Sequence, residues 1–80
     1  MGIKDASAER IKQLCKQREI APNTLSTLAG LTPSTVYSVL DPKRKNVGLV
    51  TIKKICDGLN ITIAEFFDAE VFRNLEQEVK

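Results

Sequence analysis

The sequence contains no histidine, and its four glycines form no glycine-rich phosphate loop. No pair of carboxylates lies in an apolar setting either, so the side chains most used for general acid–base catalysis are missing. We therefore expect no enzyme activity and no cofactor, metal ion or small-molecule ligand. The 80 residues are enough for one small domain, with little room for a large pocket.

Long apolar runs are also missing. The first ten residues, MGIKDASAER, include a lysine, an aspartate, a glutamate and an arginine, which leaves no room for a signal peptide or a membrane span. We expect a cytoplasmic protein without a membrane partner. Cys15 and Cys56 each fall on the apolar stripe of a predicted helix, and a reducing cytosol would keep these two thiols unpaired.

Helical periodicity accounts for nearly all of the chain, because no stretch alternates strictly for more than about four residues as a half-buried strand would. A first helix is predicted from about Ser7 to Arg18, with Arg10 facing outward. Another is predicted over residues 49–58, with Leu49 on its apolar stripe and with Gly58 and Asn60 as its stop signal. The prediction is an all-α fold, a compact bundle of five helices with a C-terminal sixth helix or helical extension.

The middle of the chain carries the most specific pattern. Pro22 suits the first position of a helix that ends at Gly30, and Thr32 with Pro33 suits the cap and first position of the next helix. That helix is predicted to end where Asp41 precedes a proline. Two short helices joined by a glycine turn form a helix-turn-helix unit, here residues 22–41, whose second helix (33–40) would enter the DNA major groove.

Four segments follow one another in the order and spacing of a known family: TLSTLAGLTPSTVYSVL, DPKRKN, LVTIKKICDGL and NITIAEFF. Over about residues 7–67 the chain resembles the Cro and repressor type of helix-turn-helix domain, also called the xenobiotic-response-element family. The resemblance implies a DNA-binding domain over residues 1–69 and a dimeric, sequence-specific transcriptional regulator that binds double-stranded DNA.

Helical spacing places Ser34, Tyr37, Ser38 and Asp41 on the face opposite the core. This face lacks Arg, Lys, Asn and Gln, which make the bidentate base contacts worth about 1–3 kcal/mol each. We therefore expect modest direct readout, supplemented by DNA shape. The resemblance implies contacts to bases or phosphates from ten residues: Thr32, Pro33, Ser34, Thr35, Tyr37, Ser38, Lys43, Arg44, Lys45 and Asn46.

Two positions depart from the family pattern. Relatives often bury an arginine–glutamate pair where this chain has Cys15 and Leu40, and an apolar replacement of such a pair is often neutral or stabilising. Asp41 places a carboxylate where DNA phosphates would approach. It would be repelled unless it turns away or caps Lys43 locally.

Charge divides the chain in two. Residues 1–64 hold ten Lys or Arg and five Asp or Glu, a net +5, whereas residues 65–80 hold two and five, a net −3. This split is typical of a basic region that binds a polyanion and an acidic tail that stays away from it. The simpler alternative is that these are scattered, solvated charges. Residues 70–80 are predicted to form an acidic helical tail.

Apolar residues in and before that tail predict a homodimer. The expected interface consists of Phe67, Val71, Phe72, Leu75 and Val79. The alternative is that the tail folds back as a sixth helix of the same monomer. A second function also stays open, because the same fold serves as a protein-binding module in antitoxins and coactivator-like adaptors.

Overall fold

The computed structural model describes residues 1–79, and Lys80, the last residue of the predicted tail, lies outside the described residues. Within this part of the chain there are five α-helices and no strand, which confirms the all-α prediction. A 3-10 helix, Glu70–Phe72, follows the last of them. The α-helices are α1 (Ile3–Arg18), α2 (Pro22–Ala29), α3 (Pro33–Leu40), α4 (Leu49–Leu59) and α5 (Ile63–Phe67).

The turn between α2 and α3 has the predicted chemistry. Gly30 has φ 67°, the left-handed conformation that glycine adopts without strain, and its N–H bonds back to the carbonyls of the last turn of α2. Thr32 caps α3 by accepting a hydrogen bond from the Thr35 N–H, and Pro33 is the first helical residue. The helix-turn-helix unit of residues 22–41 is therefore present in the fold.

A capping box opens α5, as predicted. The Thr62 hydroxyl accepts from the Glu65 N–H at 3.0 Å, and the Glu65 carboxylate accepts from the Thr62 N–H at 3.0 Å. The backbone hydrogen bond from Thr62 holds the pKa of Glu65 below its ordinary value, since it favours the ionised carboxylate. The helix therefore begins at a defined residue immediately before Phe66.

One apolar core joins all five helices. Its members, all buried, are Ile11, Leu14, Cys15, Leu25, Ala29, Val36, Val39, Ile52, Ile55, Cys56, Leu59 and Phe66. Both cysteines are free, and burial raises the pKa of the Cys15 and Cys56 thiols. Each thiol therefore packs as a small apolar group.

The first helix is longer than predicted. It begins at Ile3, with Gly2 as its N-cap, so the start predicted near Ser7 is wrong. The Ser7 hydroxyl donates to the Ile3 carbonyl at 2.8 Å, one turn back inside the helix, instead of capping a helix start. The additional turn carries Lys4, which is buried.

Two predictions for α4 are also corrected. Leu49, placed on the apolar stripe by its spacing, is the first residue of the helix and is exposed. The predicted stop signal is confirmed at Asn60, which is the left-handed C-cap, but Gly58 is not part of it, since it lies inside a helix that ends at Leu59. A Cβ atom at Gly58 would lie 2.8 Å from backbone atoms of Leu28 and Ala29. Glycine is therefore needed because α2 and α4 approach closely at this point.

The C-terminal tail folds back on its own chain, which is the alternative left open by the sequence. The Phe72 ring lies 4.8 Å from the Phe67 ring and 6.0 Å from the Phe66 ring, measured between centroids. The Glu76 N–H donates to the Met1 carbonyl at 3.1 Å. The helix predicted for the tail is wrong beyond the single 3-10 turn, since none of residues 73–79 is helical.

Candidate nucleic-acid interface

The second helix of the unit, α3, separates its two faces as predicted. Val36 and Val39 are buried against the core, whereas Ser34, Tyr37 and Ser38 are exposed. A ring half open to solvent and two hydroxyls therefore occupy the outer surface of the helix. The exposed face is polar but carries no charge.

Hydroxyl groups cluster at the N-terminus of α3. The Thr32 hydroxyl oxygen lies 2.9 Å from the Thr35 hydroxyl and 3.2 Å from the Ser34 hydroxyl. Thr32 and Ser34 are exposed and Thr35 is half-buried. Each hydroxyl can both donate and accept, so this cluster can meet a phosphate oxygen or a base edge without a strong preference among bases.

The turn after α3 is exposed and basic. We call residues 41–46 the basic turn; its outer side chains are Lys43, Arg44, Lys45 and Asn46, all exposed. Among residues 1–79, none of the three cations of this turn forms an ion pair. Three positive side chains are therefore available to an anionic partner.

Asp41, the departure noted in the sequence, caps the basic turn locally. Its carboxylate accepts a hydrogen bond from the Lys43 N–H at 2.9 Å, and its carbonyl accepts from the Arg44 N–H at 3.0 Å. The carboxylate thus satisfies a backbone donor of the turn, as aspartate often does in turns. Of the two arrangements considered from the sequence, local capping is the one adopted.

A groove of about 540 Å³ lies beside the basic turn. Arg44 and Lys45 line it, and so do the tail residues Glu76 and Glu78. The tail is held in this position by the Met1 backbone and by an ion pair of 3.8 Å between the N-terminal ammonium and Glu76. The acidic tail therefore lies near the basic turn, although the charge split suggested a tail that avoids a polyanion.

The residues predicted for a dimer interface differ in exposure. Phe67 and Phe72 are half-buried in the aromatic cluster with Phe66, and Val71 and Leu75 are also half-buried. Val79 is 87% exposed. The rings of Phe67 and Phe72 are already packed within the monomer. A partner chain would therefore contact only the exposed edges of these five residues.

Sequence reasoning missed two cationic residues of α1 that bind other elements. Lys4 is 8% exposed, and its ammonium donates to the Asp41 carbonyl at 2.6 Å. Arg10, predicted to face solvent, is half-buried and donates to the carbonyls of Glu65 and Phe66 at 2.8 and 2.7 Å. The spacing of Lys4 to Ser7 and Ile11 places it on the buried stripe, which was the available signal.

Comparison with known proteins identifies the family. The model of the Cro/C1-type HTH DNA-binding domain matches residues 10–71. The chain belongs to this family. A solved structure described as the crystal structure of the prophage Lp1 protein 11 is similar, with a TM-score of 0.81 and 30% identity. The match covers 94% of this chain and all of that one, whereas no curated protein matches.

Membership of the Cro/C1-type family fits the geometry of the unit. It is a family of DNA-binding regulators, not of enzymes, and its helix-turn-helix is the element assembled here by α2 and α3. At the positions where relatives often bury an ion pair, Cys15 is buried and Leu40 packs against the apolar core. Among residues 1–79 we find no helix capable of crossing a membrane.

Proposed function

We propose that this Cro/C1-type protein is a sequence-specific transcriptional regulator that binds a palindromic operator as a homodimer. The observation that carries the proposal is that the exposed, uncharged face of α3 lies next to the basic turn, whose three cations form no ion pair within residues 1–79. Phosphate contacts fix the position of a protein on DNA, and base-edge contacts specify sequence. The exposed face of α3 supplies the base-edge contacts, and the adjacent basic turn supplies the phosphate contacts.

The proposed base contacts come from α3. The residues proposed to face the major groove are Pro33, Ser34, Thr35, Tyr37 and Ser38. Their hydroxyls form hydrogen bonds with base edges, and the ring of Tyr37 or Pro33 contacts a thymine methyl. Thr32 stands near a phosphate. Because the side chains that make bidentate contacts are missing, sequence preference depends partly on DNA shape.

The proposed phosphate contacts come from the basic turn. Lys43, Arg44 and Lys45 each neutralise one phosphate, and Asn46 donates to the backbone beside them. Each neutralised phosphate releases condensed counterions, so binding should weaken steeply as salt increases.

Dimerisation is supported by the weakness of a single reading helix. One α3 with short hydroxyl side chains reaches only a few base pairs, and two copies on half-sites about one DNA turn apart multiply that preference. We place the contact on Val71, Leu75 and Val79, with the outer edges of Phe67 and Phe72.

Leu75→Ser with Val79→Ser should convert a dimer to a monomer in sedimentation experiments. A protein that stays monomeric at tens of micromolar without DNA would contradict this interface, and a dimer unaffected by both changes would move it elsewhere.

Selection of bound sequences from a pool of random duplexes tests the proposal as a whole. Recovery of a palindromic motif is the expected result, with Ser34→Ala and Ser38→Ala changing preference at one or two positions. Recovery of no motif, together with no retention on heparin at low salt, would contradict the proposal and favour the protein-binding alternative.

A further inference from the structure

Lys4 forms a long-range contact that has no part in the DNA and dimer contacts proposed above. It lies in the first turn of α1, is 8% exposed, and donates its ammonium proton to the Asp41 carbonyl at 2.6 Å. Asp41 is the C-cap of α3, the proposed reading helix. The contact therefore ties the start of the chain to the junction between the reading helix and the basic turn.

Asp41 is the residue on which the basic turn depends. Its carbonyl accepts from both the Lys4 ammonium and the Arg44 N–H, and its carboxylate accepts from the Lys43 N–H. Pro42, which lies between Asp41 and Lys43, has a fixed φ and no N–H of its own. Three donors thus converge on one residue, and the Lys4 ammonium is the only one of the three that comes from another helix.

The position of this ammonium is unfavourable for the isolated protein in one respect. Burying a charge costs free energy unless it is well paired, and the Lys4 ammonium donates to a neutral carbonyl, that of Asp41, and not to a carboxylate. The hydrogen bond to the Asp41 carbonyl is therefore the contact that accounts for a buried lysine at this position.

We propose that Lys4 is a positioning residue for phosphate binding. By holding the Asp41 carbonyl, it fixes the basic turn in the conformation that directs Lys43 and Arg44 to adjacent phosphates, without contacting DNA itself. The inference rests on the proposed DNA binding, and goes beyond it by assigning a role to a residue outside the helix-turn-helix unit.

Binding of a random duplex as a function of salt tests the DNA side of this inference. Lys4→Met should flatten the slope of log affinity against log salt by about one to two, the loss of one or two phosphate contacts. Lys12→Met is the matched control, since Lys12 is exposed on the same helix and pairs only with Glu9 among the described residues. Equal slopes for the two variants would overturn the proposal.

Amide hydrogen exchange tests the positioning side without DNA. In the unaltered protein the Lys43 and Arg44 amides should exchange slowly, and in Lys4→Met they should exchange faster while core amides of α4 stay protected. Unprotected Lys43 and Arg44 amides in the unaltered protein would overturn the proposal even if Lys4→Met failed to fold. Protected amides in a protein that binds no duplex would instead contradict only the proposed function.

Discussion

Replacing Gly58 by alanine tests the packing that supports the helix-turn-helix unit. The added Cβ would lie 2.8 Å from Leu28 C and Ala29 N and 2.9 Å from Leu28 O, whereas ordinary contacts begin at 3.4 Å. All three atoms belong to the backbone of α2, so no side-chain rotation can relieve the overlap. The two helices must instead move apart.

Whether Gly58→Ala raises or lowers the free energy of unfolding shows whether the overlap between α2 and α4 occurs. Without the overlap, Gly→Ala inside a helix stabilises by about 1 kcal/mol through helix propensity. With the overlap, overpacking costs about 1–3 kcal/mol, which should outweigh that gain and leave a net loss of up to about 2 kcal/mol. In a domain of this size each 1 kcal/mol lowers the Tm by roughly 4–8 °C.

Thermal and urea unfolding followed by circular dichroism measures this change. Gly48→Ala is the control without overlap, since its Cβ would meet only the Thr51 hydroxyl at 3.7 Å; because Gly48 is the N-cap of α4, it should lose only the N-cap preference for glycine over alanine. Adding Leu28→Ala to Gly58→Ala should restore nothing, because the overlap is with the Leu28 backbone. A Gly58→Ala protein more stable than the original would refute the close approach of α2 and α4.

Three further predictions follow from single contacts. Arg10→Ala should destabilise by about 2 kcal/mol, because its guanidinium satisfies the last carbonyls of α5, whereas exposed Lys16→Ala should cost little in urea unfolding. Because the pKa of Glu65 is lowered in the folded protein, its ionised carboxylate adds to the free energy of unfolding above the ordinary glutamate pKa. This contribution is lost as pH falls through the lowered pKa of the folded state, and Glu65→Gln should remove that pH dependence. Glu76→Gln with Glu78→Gln should strengthen binding of random duplexes in titrations, because two negative charges leave the groove beside the basic turn.

Local signals in the sequence were enough to predict the central helices. Pro22, Gly30, Thr32 and Pro33 act within one or two turns of where they stand, so their effect on the backbone does not depend on the rest of the fold. The apolar spacing of α4 was read in the same way, apart from its exposed first residue Leu49.

The predictions that failed depend on contacts between distant parts of the chain. Gly58 carries a stop signal in the sequence, and only the approach of α2 shows that it is a packing position. Arg10 faces outward by its spacing until the carbonyl of Phe66 is brought to it, and the partner of Lys4, the Asp41 carbonyl, comes from a distant helix end that spacing cannot show. The tail has no helix beyond the 3-10 turn, and Phe72 in that turn packs on the other phenylalanine rings of its own chain, a contact that no local signal predicts.

The salt dependence of duplex binding tests the central claim most directly. The claim is that α3 and the basic turn bind DNA, with the exposed cations Lys43, Arg44 and Lys45 meeting phosphates. Changing Lys43, Arg44 and Lys45 together to alanine should flatten the slope of log affinity against log salt by up to about three, since each phosphate contact contributes about 0.9. An unchanged slope in a folded triple variant would contradict the account.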